Sequence, residues 1–197
     1  MKKFLASALS AALLLSALAG CSGSSSGSAS GSAPAGSGAS DGDKVVKIGV
    51  FEPASGDSAS GGKKEMLGMQ YANSETPTVT VGGQEYQIQL VYADNGSSTD
   101  KALTAATQLV SEGVSLVLGS YGSGVSIAAG PTFGNAGLPA IGVTCTNPNI
   151  TAGNDYYFRI CFLDNFQAQV LVNFAKDKFS AQKAYCLGEL GNEYDQG

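Results

Sequence analysis

Residues 98–126, STDKALTAATQLVSEGVSLVLGSYGSGVS, place a helix, a strand and a glycine-rich loop in direct succession. Ser98 or Thr99 can cap the helix, its alanine residues and Leu109 recur on one face, and Gly113 ends it. The run VSLVL that follows is continuously apolar, which is typical of a parallel strand covered on both faces. This order of elements predicts the repeating unit of an α/β domain.

Apolar runs and helical patterns alternate along the rest of the chain. Further strands are predicted at 45–51, 84–94, 138–143, 156–162 and 183–189, and further helices at 60–75 and at 166–179, the latter with Val170, Leu171 and Phe174 as apolar anchors. Another helix is expected to begin near Ser123, and Pro131 is expected to kink it or to end its first part. The alternation predicts an α/β fold with a largely parallel sheet, in which ligands bind beyond the carboxyl ends of the strands.

The N-terminal residues have the pattern of an export signal. Two lysines, an apolar run and small residues make 1–20 a predicted signal peptide. The segment LAGC, which ends at Cys21, resembles the lipobox of bacterial lipoproteins and implies that Cys21 is lipidated; the alternative is an ordinary signal peptide with a coincidental cysteine. Residues 21–43 would then be the lipidated cysteine and a Ser/Gly/Ala tether. We expect an exported protein that is lipid-anchored to the outer face of the bacterial cytoplasmic membrane or lies in the periplasm.

Composition argues against several classes of function. The chain of 197 residues carries a formal net charge of −5 with 11 basic residues, which argues against a nucleic acid partner. It contains no histidine, so neither Ser-His-Asp nor Cys-His activation of a nucleophile can be assembled from these residues. We therefore expect a protein that is not an enzyme and that uses no cofactor and no metal.

Three cysteines follow Cys21, namely Cys145, Cys161 and Cys186. Their spacings match no zinc motif. They allow either one disulfide with a free thiol or three buried thiols, and the position of each in or beside an apolar run favours buried thiols.

The glycine-rich loop GSYGSG at 119–124 is not a phosphate loop. It lacks the lysine of a P-loop, and its GxxGxG spacing differs from the GxGxxG of a dinucleotide site. Ser123 lies at an expected helix N-terminus, where unpaired N–H groups and the helix dipole suit a small anion. Two interpretations stay open: Ser123 binds a carboxylate, or it caps its own helix.

A second polar turn, TCTNPNIT at 144–151, also follows a predicted strand. Thr146 can donate a hydrogen bond to a carboxylate, while exposed carbonyl groups beside Thr144 can accept from an ammonium group. The alternative is a turn whose hydroxyl groups satisfy its own backbone.

Five segments occur in this order: KIGVFEPASG, YADNGSSTDKALTAATQLVSEGVSLVLGSYGSG, LPAIGVTCTNPNIT, YFRICFLDNFQ and NEYDQG. On these segments the chain resembles the periplasmic-binding-protein type I group, and within it the branched-chain amino acid (Leu/Ile/Val) substrate-binding proteins of ABC importers. The resemblance covers about 45–197. It implies a protein with two α/β lobes, each a three-layer parallel-sheet structure, that close on a ligand. Residues 44–163 would be most of the first lobe and 164–197 the start of a truncated second lobe, so we expect this chain to be a piece of a longer one.

The resemblance also implies roles for individual residues. Ser123 matches the serine that binds the α-carboxylate of the ligand. Thr144 matches a position whose backbone contacts the zwitterion, and Thr146 matches a threonine that contacts it through its hydroxyl and backbone. Cys145 lies between these two threonines, at a position that a small residue usually occupies. Its backbone lies beside the ligand contacts. Tyr194 matches a tyrosine of the second lobe that packs over the ligand when the lobes close.

Asp164 matches the first crossover between the lobes, near the hinge; the alternative is an acidic residue at a helix start. Besides Cys145, the chain departs from the family at two places. Ser60-Gly61 stands where members specific for leucine carry an aromatic residue, so the side-chain pocket differs. Gly96 and Gly122 stand where some members have a disulfide, which would leave the loop of Ser123 unpinned.

The sequence thus predicts a solute-binding protein that captures a small zwitterion, an amino acid of the branched-chain type or a relative, and delivers it to the permease subunits of an ABC transporter. One alternative is a sensor that uses the same fold for signalling. Another is an enzyme with Cys145 as its nucleophile, which requires a thiolate of lowered pKa.

Overall fold

The computed structural model describes residues 44–197. The predicted signal peptide, the lipidation site at Cys21 and the tether lie outside the described residues. The strands are β1 (Val45–Glu52), β2 (Thr78–Val81), β3 (Gln84–Asp94), β4 (Leu116–Leu118), β5 (Ala140–Gly142) and β6 (Tyr157–Arg159). The helices are α1 (Ala59–Glu75), α2 (Thr99–Ser111), α3 (Ser123–Asn135), α4 (Asp164–Phe179) and α5 (Glu193–Gln196), with a short 3-10 helix at Pro148–Ile150.

The six strands form one sheet in the order β2-β3-β1-β4-β5-β6. All neighbouring strands are parallel except β2, which pairs antiparallel with β3. Because Glu52 lies opposite Asp94 and Val50 opposite Leu118, the parallel strands end at one common edge. The strand order reverses between β1 and β4, which is the position where open α/β sheets bind ligands. The predicted α/β fold with a largely parallel sheet is confirmed.

Helices cover both faces of the sheet, which gives the predicted three layers. On one face, α2 and α3 pack over a core that includes Leu109, Phe51 and Phe133. The rings of Phe51 and Phe133 meet edge to face with centroids 5.5 Å apart, and burial of each contributes about 2–3 kcal/mol. On the other face, α1 flanks an apolar groove in which Ile48 and Leu90 of the sheet are partly exposed.

The hairpin of β2 and β3 extends the sheet by one antiparallel strand that was not predicted. Gly82 and Gly83 have φ values of +58° and +80°, which a tight hairpin turn requires at both central positions. The glycine pair indicated the turn, but the Thr-Val alternation of β2 covers only four residues, too short a run to indicate a strand by itself.

The predicted strand at 183–189 is wrong. These residues form neither helix nor strand, and the side chains of Tyr185 and Leu187 are fully exposed. A strand exists only when a neighbouring strand pairs with its N–H and C=O groups, and no strand among residues 44–197 lies beside this segment.

Two expectations about helices also need correction. Pro131 is exposed and does not end α3, which continues to Asn135, so of the two expected effects the kink alone stays a prediction. The apolar residues of α4 do not anchor it, since Val170, Leu171 and Phe174 are all about half exposed. Their pattern is helical, but the described residues place no sheet against that face.

Among the described residues, the three cysteines are free rather than paired. Cys145 is buried as predicted, Cys161 is half-buried, and Cys186 is exposed, so the prediction of three buried thiols is confirmed for Cys145 alone and is wrong for Cys186. Cys186 is exposed because it lies in the segment 183–189, which lacks a partner strand. Within residues 44–197, no helix combines the length and apolarity needed to cross a bilayer.

Candidate ligand-binding cleft

A cavity of about 590 Å³ lies at the carboxyl edge of the sheet. The loops after β1, β3, β4 and β5 form its walls, together with residues in and just before α5. Four of the residues predicted to bind a ligand line it together: Ser123, Thr144, Thr146 and Tyr194. Cys145 and Asp164 do not line this cavity.

Ser123 is the first residue of α3 and is 2% exposed. The N-cap position belongs to Gly122, at a φ of +124°, and no side chain caps the helix, so the interpretation of Ser123 as a cap is wrong. Its Oγ accepts a hydrogen bond from the backbone N–H of Asn147 at 3.3 Å, which leaves the hydroxyl proton available to a ligand. The first N–H groups of α3 have no partner within the helix and add further donors.

Thr144 and Thr146 present different groups to the cleft. Thr146 is 5% exposed, and its Oγ1 has no hydrogen-bond partner among the described residues. A buried hydroxyl without a partner costs about 1–3 kcal/mol, so a ligand that hydrogen-bonds to it removes that cost. Thr144 is exposed and its Oγ1 donates to Glu65 Oε1, which leaves its backbone as the part available to a ligand.

Cys145 is buried between these threonines with its backbone carbonyl already bonded. That carbonyl accepts from Arg159 Nη1 and from Cys161 Sγ, both at 3.3 Å. Its thiol packs against Gly142, and burial raises the pKa of the Cys145 thiol. A thiol of raised pKa outside the cleft is a poor nucleophile, so the geometry gives no support to the alternative of an enzyme.

Asp164 is the first residue of α4, where a carboxylate interacts favourably with the helix dipole. Its backbone N–H donates to the carbonyl of Thr146 at 3.2 Å. It is 5% exposed, both carboxylate oxygens lack a partner among the described residues, and Gly197 lies against them. This placement agrees with the alternative interpretation of Asp164 as an acidic residue at a helix start.

The opposite wall of the cleft carries Tyr194. Its phenolic oxygen accepts from Gln167 Nε2 at 2.8 Å, which ties α5 to α4. Asn147 joins this wall to the rest of the cleft, because its Nδ2 donates to the carbonyl of Glu193 and its backbone N–H donates to Ser123.

Arg159 holds the turn 144–151 and was missed by the sequence reasoning. Its guanidinium donates to the carbonyls of Cys145 and Asn147 and to Thr151 Oγ1, the last two at 2.9 Å. These bonds fix the turn that carries Thr146. The signal in the sequence is a lone cation within the apolar run YYFRICF.

Two carboxyl groups lie beneath the cleft. Glu52 is 1% exposed, and its Oε2 accepts from the backbone N–H of Tyr121 at 2.8 Å. Glu65 lies within hydrogen-bonding reach of Glu52 and also accepts from Thr144. Burial, and after it the hydrogen bond and the charge of Glu65, raise the pKa of Glu52 to about 10 against the opposing effect of the Tyr121 N–H. Glu52 is therefore a neutral acid at pH 7 and a structural link between the loops of Ser123 and Thr144.

Glu52→Gln is expected to change how folding stability depends on pH. Between the ordinary pKa of 4.5 and about 10, folded Glu52 keeps a proton that the unfolded chain releases, so stability falls as pH rises through this window. Glutamine is neutral in both states, so the variant should lose this slope of about 1.4 kcal/mol per pH unit and gain about 4 kcal/mol relative to the wild type as pH rises from 5 to 8. Urea unfolding at several pH values measures it, and parallel pH profiles of the two proteins would contradict the burial of a neutral acid.

Asp94 ties the loop after β1 to the loop after β3. Its carboxylate accepts from the Ser55 hydroxyl at 2.7 Å and from the N–H groups of Ala54 and Gly96, both at 2.8 Å. Burial alone would raise the pKa of Asp94, but these hydrogen bonds outweigh it and lower the pKa. The two loops are thus joined by a charged hydrogen-bond acceptor.

The loop of Ser123 is pinned, contrary to the expectation from Gly96 and Gly122. Ser120 is fully buried, and its Oγ accepts from Asn95 Nδ2 at 2.8 Å. The next backbone N–H, of Tyr121, donates to Glu52. Hydrogen bonds to the neighbouring loops therefore hold this loop where a covalent bridge is absent.

Comparisons with known proteins agree on one family. Residues 45–196 match the family model described as periplasmic binding protein. The chain is 30% identical over 153 residues to Leu/Ile/Val-binding protein homolog 2 of Brucella abortus, covering 77% of this chain and 41% of that protein. It is also 30% identical over 154 residues to an amino acid binding protein of Pseudomonas aeruginosa, with the same coverage.

Two solved structures have the same fold. The leucine binding protein LivK of Thermotoga maritima matches with a TM-score of 0.65 and 30% identity, over 70% of this chain and 38% of that one. The branched-chain amino acid substrate-binding protein LivJ of Streptococcus pneumoniae, in complex with isoleucine, matches with a TM-score of 0.63 and 34% identity, over 70% and 40%. The chain spans about two-fifths of the length of these relatives.

Proposed function

The chain belongs to the periplasmic binding protein family, and we propose that it carries the carboxylate-binding part of an amino-acid-binding protein that serves an ABC importer. One observation supports this most strongly. A single cleft brings together the hydroxyl of Ser123, the start of α3 and the unpartnered hydroxyl of Thr146. The names of relatives from Brucella abortus and Pseudomonas aeruginosa point to the same class of ligand.

In the proposed complex, the ligand carboxylate accepts from Ser123 Oγ and from the N–H groups at the start of α3. Thr146 Oγ1 donates to it as well, and the backbone carbonyl of Thr144 accepts from the ammonium group. Hydrogen bonds to a charged group contribute about 1.5–3 kcal/mol each, so this set provides much of the affinity for a small zwitterion. Cys145 and Asp164 support the turn and the helix start beside it.

We assign 44–163 to a first lobe and 164–197 to the start of a second. A ligand that contacts Ser123 on one wall and Tyr194 on the other stabilises a closed arrangement of the two, because it binds that arrangement more tightly than an open one. The closed form would then be the one that permease subunits recognise. Cys21, as a lipidated residue, would keep the protein at the outer face of the membrane.

A thermal shift screen of the full-length protein against the twenty amino acids tests this proposal. A ligand at about a hundred times its Kd stabilises the folded state by about 2.7 kcal/mol, so at least one amino acid should raise Tm by roughly 2–5 °C. No shift with any of the twenty would overturn the proposed class of ligand.

A further inference from the structure

Tyr121 lies flat against the first turn of α1. A Cβ atom added to Gly61 would lie 2.6 Å from the Cε1, Cε2 and Cζ atoms of the Tyr121 ring alike. Equal distances to three ring atoms mean that the face of the ring covers Gly61. Only glycine leaves room for this contact, because real Cβ atoms essentially never approach that closely.

The backbone of Tyr121 is fixed from below. Its N–H donates to the buried carboxyl group of Glu52 at 2.8 Å. The preceding residue, Ser120, is fully buried and bonded to Asn95. The ring is therefore held between α1 and the cleft, although 42% of the residue is exposed and it lines the cavity beside Ser123.

The wall around this ring is rich in hydroxyl groups. Ser58 and Ser97 line the same cavity from the loops after β1 and β3, and Thr99 lines it from the start of α2. The Ser97 hydroxyl donates to the carbonyl of Ser55 at 3.1 Å, so towards a ligand it can act only as an acceptor. Among the described residues that line the cavity, the one wholly aliphatic side chain is Val125, and it is 6% exposed. Such a wall can hydrogen-bond to a polar side chain, whereas an aliphatic side chain would leave its hydroxyl groups without partners.

We propose that Tyr121, laid on Gly61, is the specificity-determining residue of the cleft and that with Ser58, Ser97 and Thr99 it selects an amino acid with a hydroxyl or amide side chain. This inference rests on the proposed function. With the carboxylate at Ser123, the ligand side chain lies against the exposed face of Tyr121 and within reach of the hydroxyl groups. An aliphatic side chain would pack on the ring but would bury these hydroxyl groups without hydrogen-bond partners.

The test is a calorimetric comparison, on the full-length protein, of serine, threonine, asparagine and glutamine with leucine, isoleucine and valine. The wild type should bind its best polar ligand at least about tenfold more tightly than any of the three aliphatic ones. Tyr121→Ala should reduce that ratio by about tenfold or more, since it opens the wall and removes the ring face. Tyr121→Phe keeps the ring and should keep most of the difference in affinity between polar and aliphatic ligands.

Gly61→Ala gives an independent variant in which Tyr121 itself is unchanged. The added methyl group must displace the ring, so this variant should reproduce the loss of selectivity of Tyr121→Ala. Gly68→Ala is the matched control, because it makes the same change on the same helix where no atom lies within 4 Å. It should leave the ratio unchanged.

Each outcome decides a different point. Tighter binding of leucine, isoleucine or valine than of every polar ligand would overturn the proposed class. Amino acid binding with a ratio unchanged in both Tyr121→Ala and Gly61→Ala would overturn the role of Tyr121 and leave the proposed function standing. Binding of none of these amino acids would overturn the proposed function and this inference with it.

Discussion

Gly119→Ala is expected to destabilise the protein by about 3 kcal/mol or more, as clashes with a rigid core do. A Cβ atom on Gly119 would lie 2.2 Å from the carbonyl oxygen of Phe51 and 2.7 Å from Glu52 Oε1. Both partners belong to β1, and the carbonyl of Phe51 cannot move away because this central strand is held by neighbours on both sides. The φ of Gly119, +120°, is also unfavourable for alanine. Urea unfolding measures the difference.

Gly113→Ala is the matched control for that experiment. Gly113 has a φ of +66°, but no atom lies within 4 Å of an added Cβ. Gly113→Ala should therefore lower the free energy of unfolding only by the cost of placing alanine at a positive φ, about 1 kcal/mol. A cost for Gly119→Ala no larger than for Gly113→Ala would contradict the close packing of the loop on β1.

Ser123→Ala is expected to weaken binding of the cognate amino acid by about 1–3 kcal/mol, which is roughly a 5- to 150-fold rise in Kd. The substitution removes a donor to the ligand carboxylate and leaves the N–H groups of α3 in place. It also removes the acceptor for the Asn147 N–H, so the turn that carries Thr146 loses one support. Isothermal titration calorimetry of the full-length protein measures the change.

Ser126→Ala is the control for Ser123→Ala. Ser126 is a fully buried serine one turn further along α3, its hydroxyl donates to the carbonyl of Gly122, and it does not line the cleft. Its loss should lower stability by about 1 kcal/mol while Kd changes by less than about twofold. An unchanged Kd for Ser123→Ala would refute the role of Ser123 in binding.

The parallel sheet and the position of the cleft were predictable because they depend on local patterns. A continuous apolar run such as VSLVL, bounded by glycine, indicates a buried parallel strand without knowledge of its neighbours. Parallel strands joined by helices must end at one edge, so the loops of Ser123 and Thr146 had to lie near each other. The cavity lined by both residues follows from that constraint.

The predictions that were wrong depend on partners that a pattern cannot supply. Residues 183–189 and the anchors of α4 have the right local pattern, but pairing and burial need a neighbouring element. The short strand β2 shows the converse, since it forms only because β3 pairs with it.

The contacts of Glu52 with Glu65 and Tyr121 beneath the cleft were not predictable for a different reason. Glu52 ends an apolar strand, a position where a carboxylate is normally solvated, and nothing in the sequence shows that Glu65 and Tyr121 meet it there. Likewise, the contact of Tyr121 with Gly61 joins a loop to the first turn of α1, sixty residues away in the numbering. Such contacts arise from tertiary packing, which overrides the preferences of single residues.

The central claim is that the cleft binds the carboxylate of a free amino acid at Ser123 and the start of α3. Titration of the full-length protein with its best amino acid and with the corresponding amino acid amide tests it, because the amide keeps the side chain and the ammonium group but has no carboxylate. We predict that the amide binds about a hundredfold more weakly or not at all, as the loss of charged hydrogen bonds to buried donors requires. Equal affinity for the acid and the amide would contradict the claim.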